Sequence, residues 1–229
     1  MSFVTRWFTS DDVAAHDKPY DCWVSKQGLV LDLSDLIKEN FDQMGVKNLI
    51  ENAGKDISHW FADDGDLKYL EDPGTGIPVP YWPRDEPLLH APPLNPSSAT
   101  PAPPELPWWK DKSYIIGRLS KKTIRIRILN TLTKDSTELL VPTEETLREV
   151  LQRYKYYNRN IHQYVCKYEG DILQLEKTLI ENGIPYLEDD FERLDYAEDD
   201  IFVPGIMLLF DDKLIEEHLP FEVDYDAVL

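Results

Sequence analysis

Apolar and polar residues alternate along "TIRIRILN" (residues 123–130), where Ile124, Ile126 and Ile128 face one way and Arg125 and Arg127 the other. A period of two marks a half-buried strand. "STELLVP" reads as its partner, with "NTLTKD" as the turn. The period then changes. In "TEETLREVLQRY", Leu147, Val150, Leu151 and Tyr154 fall at helical spacing and form one buried stripe. Thr143 is the expected cap, with Glu144–Thr146 filling the first turn. "QYVCKYEG" reads as a strand and turn, and "LEKTLIENGI" as a short helix-like turn ended by Gly183. "IMLLFDD" is apolar enough for a central strand. Nearer the N-terminus, Thr9 or Ser10 should cap a short helix in "FTSDDVAAHD". "CWVSKQGLVLDL" is a hairpin turning at Lys26-Gln27-Gly28. Ser34 should cap "DLIKENF", where Leu36 and Ile37 keep helical spacing with Phe41 behind them. "VKNLIENAG" is a further helix ended at Gly54, and "DISHWF" starts another with Asp56 as its cap. Short helices after small sheets give an α+β pattern.

These signals stop between the two patterned regions. Twelve of the 17 prolines lie between Pro73 and Pro107, a density that leaves few backbone donors for a sheet and forbids a helix. The stretch reads as a linker with polyproline II character. Yet it carries Tyr81, Trp82, Leu88, Leu89, Trp108 and Trp109, apolar bodies that an idle spacer would not need. It is expected to drape over a domain or to serve as a docking strap. The resulting division is residues 8–72, a Pro-rich aromatic linker at 73–113, a second domain at 114–211, and an acidic tail at 212–229.

Composition narrows the function classes. A hydrophobic fraction of 42% in 229 residues is enough for real cores. No run of eighteen apolar residues is present, so no membrane span is expected, and the start lacks a secretory pattern. Cys22 and Cys166 lie far apart without metal-ligand spacing and are read as reduced thiols. The net charge of −19 argues against a nucleic-acid binder. It is unevenly spread, at −8 over residues 1–72, −1 over 73–112, +3 over 113–185 and −13 over 186–229. Arg125, Arg127, Arg148 and Arg153 give the middle a basic face, read either as solvated or as facing an acidic partner. Phe221 and Tyr225 in the acidic tail could anchor on a neighbour. No nucleophile–base set has a local signature, so no enzyme is expected.

Residues 8–72 resemble the cytochrome b5-like heme/steroid-binding fold, through "FTSDDVAAHDKPYDCWVSKQGLVLDLSDLI" and "AGKDISHWF". The resemblance implies a largely structural opening of His16, Lys18, Pro19, Asp21 and Trp23, and heme b as a possible cofactor. It also sets a His-Pro-Gly-Gly turn after the "DLIKE" helix. Here that place reads Asn40-Phe41-Asp42-Gln43, with Asn40 at the first ligand position. The second ligand belongs in a Gly-His pair, where this chain has Gly65-Asp66. Tyr69 and His59 are the remaining ligand candidates, though His59 reads first as a capping or packing residue beside Trp60 and Phe61. Residues 118–211 look like a ubiquitin-like (β-grasp) fold, without a C-terminal Gly-Gly. The combination resembles a family of motile-cilium proteins. It implies a cytoplasmic, cytoskeletal location in the axoneme of the cilium or flagellum and radial-spoke proteins as partners in a large hetero-complex. It further implies a role in coordinated beating with a heme-linked redox element. Trp82, Trp108, Trp109, Arg125, Arg127, Arg148, Arg153, Phe221 and Tyr225 are the expected docking residues.

Overall fold

The computed structural model describes residues 6–72, 74, 76–81, 83, 87–92, 106–187, 189, 193 and 202–211. The expected docking residues Trp82, Phe221 and Tyr225, and the tail at 212–229, lie outside them. The chain divides into two compact units, Met1–Lys121 and Lys122–Leu229.

The first unit holds β1 (Trp7–Phe8), α1 (Ser10–Ala14), β2 (Asp17–Lys18), β3 (Asp21–Lys26), β4 (Leu29–Asp32), α2 (Ser34–Glu39) and α3 (Val46–Glu51). A 3-10 turn at Ser58–Trp60, the short strands β5 (Tyr69–Glu71) and β6 (Pro78–Pro80), and β7 (Ile115–Leu119) follow. Thr9 is the cap of α1, in a reciprocal box with Asp12. Ser34 does not cap α2. Its hydroxyl is drawn to Asp32 Oδ1 at 2.5 Å and accepts the Cys22 amide at 3.0 Å, tying α2 to the hairpin. His16 stacks on Trp23 with ring centroids 3.5 Å apart and sets Nδ1 2.6 Å from Asp21 Oδ1. The opening is therefore architecture.

Two features differ from the sequence reading. The second domain begins at Lys122, not at 114, because β7 belongs to the first sheet, whose order is β1-β7-β4-β3-β2. β7 runs antiparallel to β4 and parallel to β1. Gly117 makes this possible, since a Cβ there would overlap the Arg6 carbonyl and the Phe8 ring. Second, the Pro-rich segment does form a ribbon, β5 against β6, with Leu70 opposite Val79. Pro78 and Pro80 are tolerated in a two-stranded ribbon because an edge strand can leave alternate positions without a donor.

The second unit is a five-stranded sheet of order β11-β10-β12-β8-β9. Its strands are β8 (Thr123–Asn130), β9 (Ser136–Pro142), β10 (Tyr164–Tyr168), β11 (Asp171–Ile172) and β12 (Gly205–Phe210). The first and last long strands, β8 and β12, lie side by side and parallel, and the other pairings are antiparallel. The helix α4 (Leu147–Tyr154) packs its expected stripe on Ile124, Ile126, Ile128, Ile206 and Leu208. This order and register make the unit a β-grasp, ubiquitin-like sheet. The cap of α4 is Thr146, in a box with Glu149, and not Thr143. Thr143 is instead held to the Lys122 carbonyl, and Glu145 turns inward to Arg153, so the helix starts one turn later than expected.

Candidate functional site

The place to look is the half of the first unit that follows α2, where the resemblance sets its ligand pocket. The described parts of the strap enter this region and become core. Leu88, Leu89, Trp108 and Trp109 are buried in one cluster with Leu36, Ile37, Val46, Leu49, Trp60 and Phe61. At one end, Gly45 has φ +92°, and a Cβ there would overlap the backbone nitrogen of Leu89. The glycine lets the strap backbone lie directly on the start of α3. Asn48, buried on α3, donates to the Pro87 carbonyl at 3.3 Å. The two strap arms also bind each other. The indole N–H of Trp108 donates to the Leu89 carbonyl at 3.1 Å, and its backbone N–H donates to His90 Nδ1 at 3.2 Å. His90 must therefore be neutral at Nδ1, and burial holds its pKa below the ordinary histidine value.

At the other end a polar knot closes the pocket. Trp108 and Trp109 meet edge to face at 5.7 Å, and Phe61 meets Trp108 edge-on at 6.1 Å. Asp66 accepts the Trp109 indole N–H at 3.0 Å and the Lys110 ammonium at 2.7 Å. Burial pushes its carboxyl pKa up. The hydrogen bonds from Lys110, Trp109 and the Leu67 amide outweigh that and hold it below the usual carboxylate value. Lys26, 6% exposed at the end of β3, donates to the Gly65 and Trp109 carbonyls, both at 2.8 Å. Its ammonium also sits 4.3 Å above the Phe61 ring. Burial draws the Lys26 pKa below that of a free lysine, with Asp66 pulling the other way.

The three candidate heme ligands are not brought together. Asn40 ends α2 and donates its amide to the Leu36 carbonyl at 2.9 Å. His59 is exposed and edge-on to Trp60 and Tyr81, at 6.0 and 6.3 Å. Tyr69 is 54% exposed on the ribbon, opposite Pro80. No hydrogen bond or ring contact joins any two of them. Among the described residues, no three His, Cys, Asp or Glu side chains gather as a metal site. With both ends of the pocket closed by the strap, these residues do not fit a porphyrin held by axial ligands. Cys22 and Cys166 are buried thiols with pKa values pushed up to about 12, by desolvation first in each case. They are inert core residues.

The expected docking residues also change role. Trp108 and Trp109 are 1% and 6% exposed inside their own unit, so they are packing and not a free strap. In the second unit Arg127 pairs with Glu138 at 2.6 Å, Arg148 pairs with Glu176, and Arg153 grips the buried Glu145 at 2.7–3.0 Å. Arg125 is half-buried on β8 and also has a partner. The basic face is largely neutralised by its own carboxylates. Sequence reasoning read Lys26 only as a turn residue, missed His90 altogether and read Asp66 only as a missing histidine. No periodicity or spacing marks a buried lysine at the end of a hairpin strand.

No protein-family model matches the chain. Its relatives are extensive nonetheless. It is 43% identical to cytochrome b5 domain-containing protein 1 of Xenopus tropicalis, over 92% of this chain and 97% of that protein. It is 42% identical to the Homo sapiens protein of the same name, over 93% of each. Among solved structures, a ubiquitin-like protein from Trypanosoma brucei covers 39% of this chain and 96% of its own at 21% identity, with a TM-score of 0.27. Likeness at that level adds nothing to the strand order already described, whereas the full-length identities do decide the matter. The chain belongs to the cytochrome b5 domain-containing protein 1 family.

Proposed function

We propose that this chain is a structural and interaction subunit of the motile-cilium axoneme, seated in the radial spokes, where it supports coordinated beating. In this reading its first unit is a cytochrome b5-like frame filled by its own strap instead of heme. The family resemblance supports the ciliary part. The observation that carries the rest is the knot of Lys26, Gly65, Asp66 and Trp109, because the residue at the second ligand position is committed to holding a tryptophan in the pocket. A domain whose cavity is closed by hydrogen-bonded indoles offers surfaces to neighbours, not a redox centre.

The test has two arms. The purified chain is titrated with hemin, oxidised and then reduced, beside His59→Ala and Tyr69→Phe. The expected result is no saturable Soret shift in any of them. A one-to-one shift lost in either variant would restore the heme reading. In the second arm, tagged wild type and His59→Ala are expressed in ciliated cells and axonemes are extracted with salt and detergent. Both should be retained equally. Extraction of the wild type with the soluble fraction would overturn the assembly reading.

A further inference from the structure

The first unit carries a second apolar cleft, which shares only Ile37 with the strap-filled core. It lies between the turn entering β3 and the outer side of α2, encloses about 520 Å³, and is lined chiefly by Pro19, Tyr20, Ile37, Lys38 and Phe41. Ile37 is its buried floor, while Tyr20 and Phe41 stand 79% and 64% exposed at its walls. Met44, just beyond Phe41, is 77% exposed. Two large apolar side chains, Tyr20 and Phe41, left in water on facing walls of one concave surface mark a contact site, since scattered exposure would not converge on a cleft.

The charges beside the cleft give the occupant its polarity. Asp35 lines it, Glu39 follows one helical turn on, and Asp42 stands next to Phe41. None of the three has an ion pair among the described residues, and Lys38 is the single cation of the lining. The phenol pKa of Tyr114 is raised by burial first and then by the charges of Asp111, Glu39 and Asp35. The second unit shows the opposite arrangement, with Arg127, Arg148 and Arg153 each matched to a carboxylate of their own unit. At this cleft the uncompensated charge next to the exposed apolar surface is therefore negative.

We infer that this cleft docks a basic amphipathic segment of a neighbouring protein. A large apolar side chain sits over Ile37 between Tyr20 and Phe41, and lysines or arginines face Asp35, Glu39 and Asp42. The inference rests on the reading of the chain as an assembly subunit and names the kind of neighbour. Apolar anchoring supplies the affinity, and the carboxylates supply orientation and encounter rate.

The test uses the full chain and a short fluorescein-labelled peptide of Leu and Lys at amphipathic helical spacing, followed by anisotropy. Two control peptides replace Lys with Glu or Leu with Gln. Saturable one-to-one binding of the Leu–Lys peptide alone is expected, weaker at high salt. Phe41→Ser should weaken it about tenfold, as loss of a central anchor does. Asp35→Asn with Glu39→Gln should weaken it several-fold and flatten the salt dependence. These side chains are exposed, so unchanged tryptophan emission certifies the fold of each variant. Equal binding of the controls, indifference to both variants, or no saturation overturns the proposal. So does sedimentation showing a dimer that Phe41→Ser dissolves, which would make the cleft a contact between copies. Failure of the peptide with normal retention in axonemes removes the cleft and leaves the assembly reading. Binding of the peptide by a chain absent from axonemes does the reverse.

Discussion

Asp66 stands where the resemblance sets an axial histidine, and with Lys26 it performs a different task. The carboxylate holds an indole, and the ammonium holds two carbonyls and an aromatic face. Replacing Lys26 by Met keeps the volume and removes the donor, leaving the Gly65 and Trp109 carbonyls unpaired. The expected loss is about 2–4 kcal/mol, the desolvation penalty of two such groups. All six tryptophans lie in the first unit, so urea unfolding followed by tryptophan emission reads this unit alone, and a loss within error would refute the assignment. His90 gives a second expectation at this scale. Its folded pKa lies below its ordinary value of 6.5, so the unfolded state takes up protons first as pH falls. The contribution of His90 is complete above that value and declines as pH drops below it. His90→Asn keeps an acceptor for the Trp108 amide, tolerates the left-handed φ of +67°, and does not titrate. The wild type should lose stability between neutral and mildly acidic pH relative to this variant. Parallel pH profiles of the two would rule the histidine out.

At the scale of elements, the strap behaves as a core element made of irregular chain. Its apolar residues were legible as lying on a domain, because Leu88, Leu89, Trp108 and Trp109 stand out among prolines. Which domain they enter was not legible, since that depends on Gly45 admitting a backbone and on a lysine at the far end. β7 was hidden for a related reason. "IIGRL" does not alternate, because it sits between two strands with Gly117 at the crossing. Two expectations follow from these elements. A fragment ending at residue 72 should lack cooperative unfolding, whereas one ending at 121 should unfold in a single transition by circular dichroism. Equal cooperativity of the two would show that strap and β7 are dispensable. In the second unit, Arg153→Ala removes the guanidinium that grips the buried Glu145 and should cost about 3–5 kcal/mol. Adding Glu145→Gln should recover part of that loss in a denaturant series. Here the pattern of α4 was readable, and only its cap moved, since Thr146 and Glu149 form a reciprocal box one turn later, which Thr143 with Thr146 at its third position cannot.

For the whole molecule, composition announced the imbalance of charge but not its bookkeeping. Arg127, Arg148 and Arg153 looked available in sequence and are matched in space, whereas the acids around α2 have no ion pair among the described residues. Salt should therefore act on the two units differently. Screening should raise the unfolding temperature of the first unit, read by tryptophan emission, by relieving repulsion among its unpaired carboxylates. The second unit, read by the far-ultraviolet signal of a 122–229 fragment, should change little or fall slightly. The opposite ordering would mean that net charge, −12 over residues 122–229 against −7 over 1–121, dominates over local pairing. The placement of β7 also bears on how the chain comes into being. A chain is made from its N-terminus, and domains tend to fold as they emerge. The first sheet cannot do so piecemeal, because β4 and β1 wait for a strand that is translated only after the whole proline-rich stretch. A premature stop anywhere between residues 72 and 115 would thus release an unfinished sheet with open edges, a substrate for chaperones and proteases, and not a shortened but working N-terminal module.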